Sequence, residues 1–157
     1  EQMFDAGFDI AGADSIEEAA QAAVTLLQRF IPAESGCVLV AGINDTALRF
    51  VAATGPSADD VKHITVPFGE GIAGFCHNSG ADMIVRDAAH DPRHHGEVDA
   101  QSGYRTRSVL AAAVRDSDGD IHGCIELLNP PGRFHAWHLD AARSVARTLA
   151  DYLGPRM

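Results

Sequence analysis

Residues 108–128 read Ser108-Val109-Leu110-Ala111-Ala112-Ala113-Val114-Arg115, then Asp116-Ser117-Asp118-Gly119-Asp120, then Ile121-His122-Gly123-Cys124-Ile125-Glu126-Leu127-Leu128. Two apolar runs of strand length flank a short polar connection, which predicts an antiparallel hairpin. The spacing Asp116-x-Asp118-x-Asp120 is also that of a calcium loop. The glycine that such a loop needs next is Ile121, and its twelfth position is Leu127 rather than Glu, so the stretch reads as a turn. Within the second strand Glu126 is the one acid set among apolar residues. Strand alternation aims it away from the face of Ile125 and Leu127, either toward solvent or toward a ligand donor.

Upstream, Cys37–Ile43 and Leu48–Ala53 form another strand pair, joined by Asn44-Asp45 and closed by Gly55-Pro56. A helix opens at Ser15, where Ser15 and Glu18 make a capping box, and Pro32 ends it. Ile16, Ala20, Ala23, Leu27 and Phe30 follow helical spacing, while Ala19, Ala22 and Leu26 give the helix a second apolar face. A last helix spans Ala136–Leu153, its buried stripe being Leu139, Ala142, Val145, Ala146, Leu149 and Tyr152. Arg147 and Asp151 are spaced for an i,i+4 pair. Between the hairpins lie one helical turn at Asp59–His63, a brief strand at Ile64–Phe68, a short helix Ile72–Asn78 stopped at Gly80, and a strand at Asp82–Arg86. Helices at the two ends and hairpins between them predict an α+β sandwich, not a doubly wound sheet.

That prediction governs the reading of Gly69-x-Gly71-x-x-Gly74. The glycine spacing is that of a dinucleotide fingerprint, with Asp91 about 20 residues on, but the fingerprint belongs to a parallel βαβ unit. What survives is the helix start: the amides of Ile72 and Ala73 offer an anion site, and the glycines serve the turn or a close ligand approach. Asp87–Gly103 is the polar part of the chain, with five charged residues and three histidines, too long for a plain connection. His90 and His94 would share a face if it is helical, and with His95 they are the candidate metal ligands.

The 157 residues, 46% apolar, suffice for one domain with a single core. A formal charge of −10 argues against nucleic-acid binding, and no apolar run is long enough to cross a membrane. Cys37, Cys76 and Cys124 each sit in an apolar segment and read as buried thiols of a reducing cytoplasm. The start at Glu1 suggests a piece excised from a longer protein.

The run from Val66 to Asn129 resembles the GAF domain family. The resemblance is carried by Val66-Pro67-Phe68-Gly69-Glu70-Gly71-Ile72-Ala73-Gly74, Met83-Ile84-Val85-Arg86-Asp87, Asp91-Pro92-Arg93 to Val98-Asp99, Ser102 to Leu110, and Gly123-x-Ile125-Glu126-Leu127-Leu128-Asn129. With weaker flanking matches it extends from about Ser15 to Leu153, and it is nearest to the regulatory GAF domains of cyclic-nucleotide phosphodiesterases and adenylyl cyclases. The resemblance implies a six-stranded antiparallel sheet with the terminal helices on one face. On the other it implies a ligand pocket roofed by Asp87–Gly103.

From nucleotide-binding members it further implies a phosphate contact at Ile72 and Ala73, and ligand contacts at His95, Asp99, Ser102, Thr106 and Glu126. The family's Lys–Asp bridge cannot form, because the lysine position after Asn129 is Pro130 and the acidic pair falls among His135, Ala136, Trp137 and His138. Phe134 or Trp137 stands for its phenylalanine. None of the cysteines lies on the lid, unlike those of bilin-binding members and of free methionine sulfoxide reductases.

The expectation is therefore a non-catalytic, cytoplasmic sensory domain of a multidomain signalling protein. It binds a small molecule, with a cyclic nucleotide as one candidate, dimerises through the terminal helices and acts on an output domain in cis. The alternatives are a ligand-free dimerisation or scaffold domain and a metal or gas sensor using the lid histidines.

Overall fold

The computed structural model describes residues 9–94 and 96–157; His95 lies outside the described residues. Helix α1, Ile16–Phe30, starts where Ser15 adopts an extended backbone and its Oγ accepts the Glu18 N–H at 3.0 Å. The Glu18 carboxylate reaches one residue further than a capping box requires and accepts the Asp14 N–H at 2.8 Å. Strands β1 (Ser35–Val40), β2 (Ala47–Thr54) and β3 (Thr65–Pro67) follow. Asp59–His63 forms successive turns rather than helix. Next come α2 (Gly71–Ser79), β4 (Met83–Val85), a 3₁₀ turn at Ala88–His90, α3 (Glu97–Ser102), β5 (Val109–Arg115), β6 (Ile121–Leu128) and α4 (Ala136–Leu153).

The six strands form one sheet in the order β3-β2-β1-β6-β5-β4, with every neighbouring pair antiparallel. The α+β architecture expected from the two hairpins is the one observed. The β5–β6 hairpin pairs Val109 with Leu128 and Arg115 with Ile121. Its turn is tied internally, since Asp116 Oδ1 accepts the Asp118 and Asp120 amides at 2.9 and 3.0 Å. The acids thus hold a turn, as read from the missing glycine.

Strand alternation splits the interior in two. Val38, Val40, Leu110, Ala112, Val114, Ile125 and Leu127 join the helices α1 and α4 in one core. Cys37, Leu39, Val109, Ala111, Ala113 and Cys124 join α2 in a second core on the opposite face. The central strands β1 and β5 are covered on both faces, and so they read as unbroken apolar runs instead of alternating ones.

Two expectations about α1 change. Phe30, the last residue on the helical spacing, is 36% exposed, and Ile31, just past the helix end, is buried instead. Ala19 and Leu26, on the second apolar face, are buried within this chain in the helix-side core, with Ala22 packed against it. In α4 the Arg147–Asp151 pair forms at 3.6 Å, and Ser117 Oγ donates to Asp151 at 2.8 Å, fastening the β5–β6 turn to the helix.

Candidate functional site

The second core borders a partly open cavity of about 100 Å³ walled by the sheet, α2, residues 57–61 and the 87–103 segment. Of the seven residues expected at the site, Ile72, Ala73, Asp99, Ser102, Thr106 and Glu126 all line it. They come from α2, α3, the segment leading into β5, and β6, so only the fold brings them together. His95 is outside the described residues. Apolar side chains make most of the wall, among them Leu39, Phe50, Val61, Val66, Val109 and Leu128.

Helix α2 meets the cavity end-on. Gly69 and Gly71 take positive φ (79° and 70°), which glycine adopts without strain. A Cβ on Gly74 would stand 3.1 Å from the Gly69 backbone. The three glycines of the fingerprint spacing therefore build a tight turn and its packing. The side chain at the N-cap position gives the first-turn amides no hydrogen bond, and that turn carries no acid.

Glu126 stands directly opposite Cys37 on β1 and Ala111 on β5. The Cys37 thiol donates to Glu126 Oε1 at 3.7 Å. Burial, opposed in part by that thiol and reinforced by the charge of Asp99, raises the Glu126 carboxyl to about 7. What surface it keeps faces the cavity it lines. Burial likewise pushes the Cys37 and Cys124 thiols well above their ordinary range. All three cysteines are free and buried, as expected.

On the lid, Asp99 accepts the Thr106 amide at 2.7 Å and the Thr106 hydroxyl at 2.8 Å, closing α3 onto the segment that leads into β5. His94 also lines the cavity, its Nε2 lying 3.8 Å from Asp99 Oδ2. His90 is turned outward against Asp87 at 2.8 Å. A 3₁₀ turn followed by an irregular stretch replaces the continuous helix that would have put His90 and His94 on one face. Among the described residues no three His, Cys, Asp or Glu side chains are grouped to hold a metal. Arg93 is spent on Asp91, holding that carboxyl down to about 2, and it stacks over Phe75 at 5.2 Å.

One cluster escaped sequence reading. Tyr104, at the end of the lid, donates its hydroxyl to Glu34 at 2.5 Å and accepts from Ser35 Oγ at 3.0 Å and Asn129 Nδ2 at 2.9 Å. Burial and the adjacent Glu34 raise the phenol to about 12. Asn129 also donates to Arg105 O and accepts the amides of Arg107 and Ser108. Its left-handed backbone, φ 56°, is what aims the amide across the chain. A tyrosine just after Gly103 and an asparagine closing a strand were the only hints, and their meeting depends on long-range pairing.

A six-stranded antiparallel sheet with the terminal helices on one face and a cavity on the other defines one class of α+β domain. The GAF domain family model matches residues 15–153, and the chain belongs to that family. It is 34% identical over 91 residues to a dual 3',5'-cyclic-AMP and -GMP phosphodiesterase 11 of Drosophila melanogaster, covering 58% of this chain and 6% of that protein. It is 28% identical over 105 residues to the dual phosphodiesterase 11A of Takifugu rubripes, covering 67% and 10%. The chain thus spans a tenth or less of these relatives.

Among solved structures it is similar to the GAF domain of a phosphoenolpyruvate-protein phosphotransferase from Coxiella burnetii (TM-score 0.85, 17% identity, 98% of this chain and 91% of that one). It also resembles a free methionine-R-sulfoxide reductase of Neisseria meningitidis solved with its substrate (TM-score 0.79, 17% identity, 98% and 87%). At these identities the likeness is one of fold. No helix among the described residues is long and apolar enough to cross a membrane.

Proposed function

We propose that this domain is a non-catalytic regulatory part of a longer signalling protein, and that it binds a small molecule in the cavity beneath residues 87–103. The observation that carries the reading is the convergence of Ile72, Ala73, Asp99, Ser102, Thr106 and Glu126 on one cavity. The cyclic-nucleotide phosphodiesterases among the relatives point the same way. Burial keeps Cys37, the one cysteine on the cavity wall, a thiol, so it packs rather than attacks. A ligand that favours one arrangement of the lid shifts its population. Tyr104 gives that shift an exit, because it joins the lid to Glu34 in the link between α1 and β1. A homodimer through the terminal helices would use the outer surfaces of α1 and α4, since Ala19 and Leu26 are already covered.

Thermal denaturation against a panel of cyclic nucleotides, nucleobases and divalent metals tests the proposal. A ligand that binds only the folded state raises the midpoint. A rise of several degrees with an organic ligand, lost in Glu126→Leu, is the expected result. No response to any compound would favour a ligand-free scaffold, a reading that Pro130 at the family's lysine position supports. A rise with a metal alone would favour the metal sensor.

A further inference from the structure

The cavity's charge and size narrow the ligand. This step rests on the regulatory reading above and goes on to the chemistry of what is bound. Among the described residues the wall contains two carboxyl groups, Asp99 and Glu126, one imidazole, His94, and no lysine or arginine. The nearest lid cation, Arg93, is bound to Asp91 through two oxygens, at 2.9 and 2.7 Å. With Glu126 largely protonated below about pH 7, the wall offers a phosphate no lysine or arginine, only the start of α2, equivalent to roughly half an elementary charge. A phosphate brought here would find too little positive charge to replace its hydration. At about 100 Å³ and partly open to one side, the cavity lies well below the roughly 300–1,000 Å³ of sites for larger ligands, which limits a bound ligand to one planar ring system with part of its edge outside.

We propose that the cavity takes an uncharged, nucleobase-sized heteroaromatic ring bearing an N–H donor beside an acceptor, seated between the apolar walls with that edge on Glu126, and that it disfavours nucleotides carrying phosphate. Leu39, Phe50, Val66, Ile72, Val109 and Leu128 supply apolar surface for the ring faces. A full positive charge would lose its hydration against those walls. Glu126 supplies the edge. Held largely protonated below about pH 7, its carboxyl presents one donor and one acceptor side by side, the complement of a lactam or an aminopyridine-like edge. The groups facing Glu126 are the Cys37 thiol on β1 and Asp99 on α3, with His94 beyond Asp99. None of them supplies a lysine or arginine counter-charge. Ionisation of Glu126 removes the donor, so affinity falls as pH rises through about 7.

Isothermal titration of the protein with adenine and hypoxanthine, each beside its 3',5'-cyclic monophosphate, and with benzamidine as a cationic ring, decides the matter. At pH 6.5 a base is expected to bind at least tenfold more tightly than its cyclic nucleotide and than benzamidine. Its affinity is expected to drop tenfold or more by pH 8.5. Glu126→Gln, whose amide keeps a donor and an acceptor, retains binding at both pH values, and Glu126→Leu loses it. Tighter binding of a cyclic nucleotide or of benzamidine, or a pH profile that survives unchanged in Glu126→Gln, overturns the ligand class while leaving the regulatory reading intact. Silence from every ligand overturns the ligand class, and the regulatory reading falls with it only where the wider thermal panel is silent too.

Discussion

Replacing Glu126 by Gln removes a charge that the fold resists burying, and the effect on stability follows from the site. The carboxyl ordinarily titrates near 4.5 and is raised to about 7 here, chiefly by burial, with Asp99 adding to the rise. The folded protein therefore holds this proton more tightly than the unfolded chain does. Wild-type stability is highest below pH 4.5 as far as this group is concerned, declines as pH rises from 4.5 through about 7, and is level above that. At about 1.4 kcal/mol per pH unit, the decline amounts to about 3 kcal/mol. Gln keeps the shape and cannot ionise, so Glu126→Gln lacks the decline. Urea unfolding at intervals between pH 4.5 and 8.5 gives both curves. They should diverge with rising pH until the variant is the more stable by about 3 kcal/mol, and Asp99→Asn should move the wild-type midpoint to lower pH. Parallel wild-type and Glu126→Gln curves would show that water solvates Glu126 freely, and the reasoning from burial would fail.

Asn129→Ala removes the side chain whose amide ties Tyr104, Arg105, Arg107 and Ser108. It leaves alanine at φ 56° and should cost about 3 kcal/mol in urea unfolding. Asp99→Ala releases α3 from Thr106 and should cost only about 1 kcal/mol globally, while hydrogen exchange accelerates selectively over residues 97–106. At the start of α4, His138 Nδ1 accepts the His135 amide at 2.8 Å, which only the unprotonated nitrogen can do. Burial, and secondarily His135, lowers the His138 value below 6.5. The unfolded chain then takes up this proton first, so stability falls as pH drops below 6.5. In His138→Gln that slope should be shallower in thermal unfolding between pH 6.5 and 5, and an unaltered slope would remove His138 from the account.

The elements that sequence reading located best are those whose signals are local. The β5–β6 turn was legible from Asp116–Asp120, α1 from Ser15, and the end of α2 from Gly80. Glu126 was placed on the correct face by parity alone. Resemblance then gathered Asp99, Ser102 and Thr106 around it. The face of a helix end was less legible: Phe30 fits the helical period, but the chain turns at Ile31 and buries that residue instead. The lid histidines were read as sharing a face only if the segment were helical, and the 3₁₀ turn at Ala88–His90 breaks that continuity, while His95 lies outside the described residues. Tyr104, Asn129 and Glu34 were missed as a group because they meet only through the pairing of β1 with β6 and the left-handed turn at Asn129. Neither leaves a periodic trace.

The division of the sheet into two cores has a consequence for how the domain can change over time. Along β1, β5 and β6, one set of alternate positions belongs to the helix-side core and the other to the cavity side. Replacing Cys37, Val109 or Glu126 alters the cavity wall while Val38, Leu110 and Ile125 go on holding α1 and α4 in register. A fold wired this way can vary the shape and polarity of its cavity by single substitutions, without renegotiating the helix-side packing that keeps it folded.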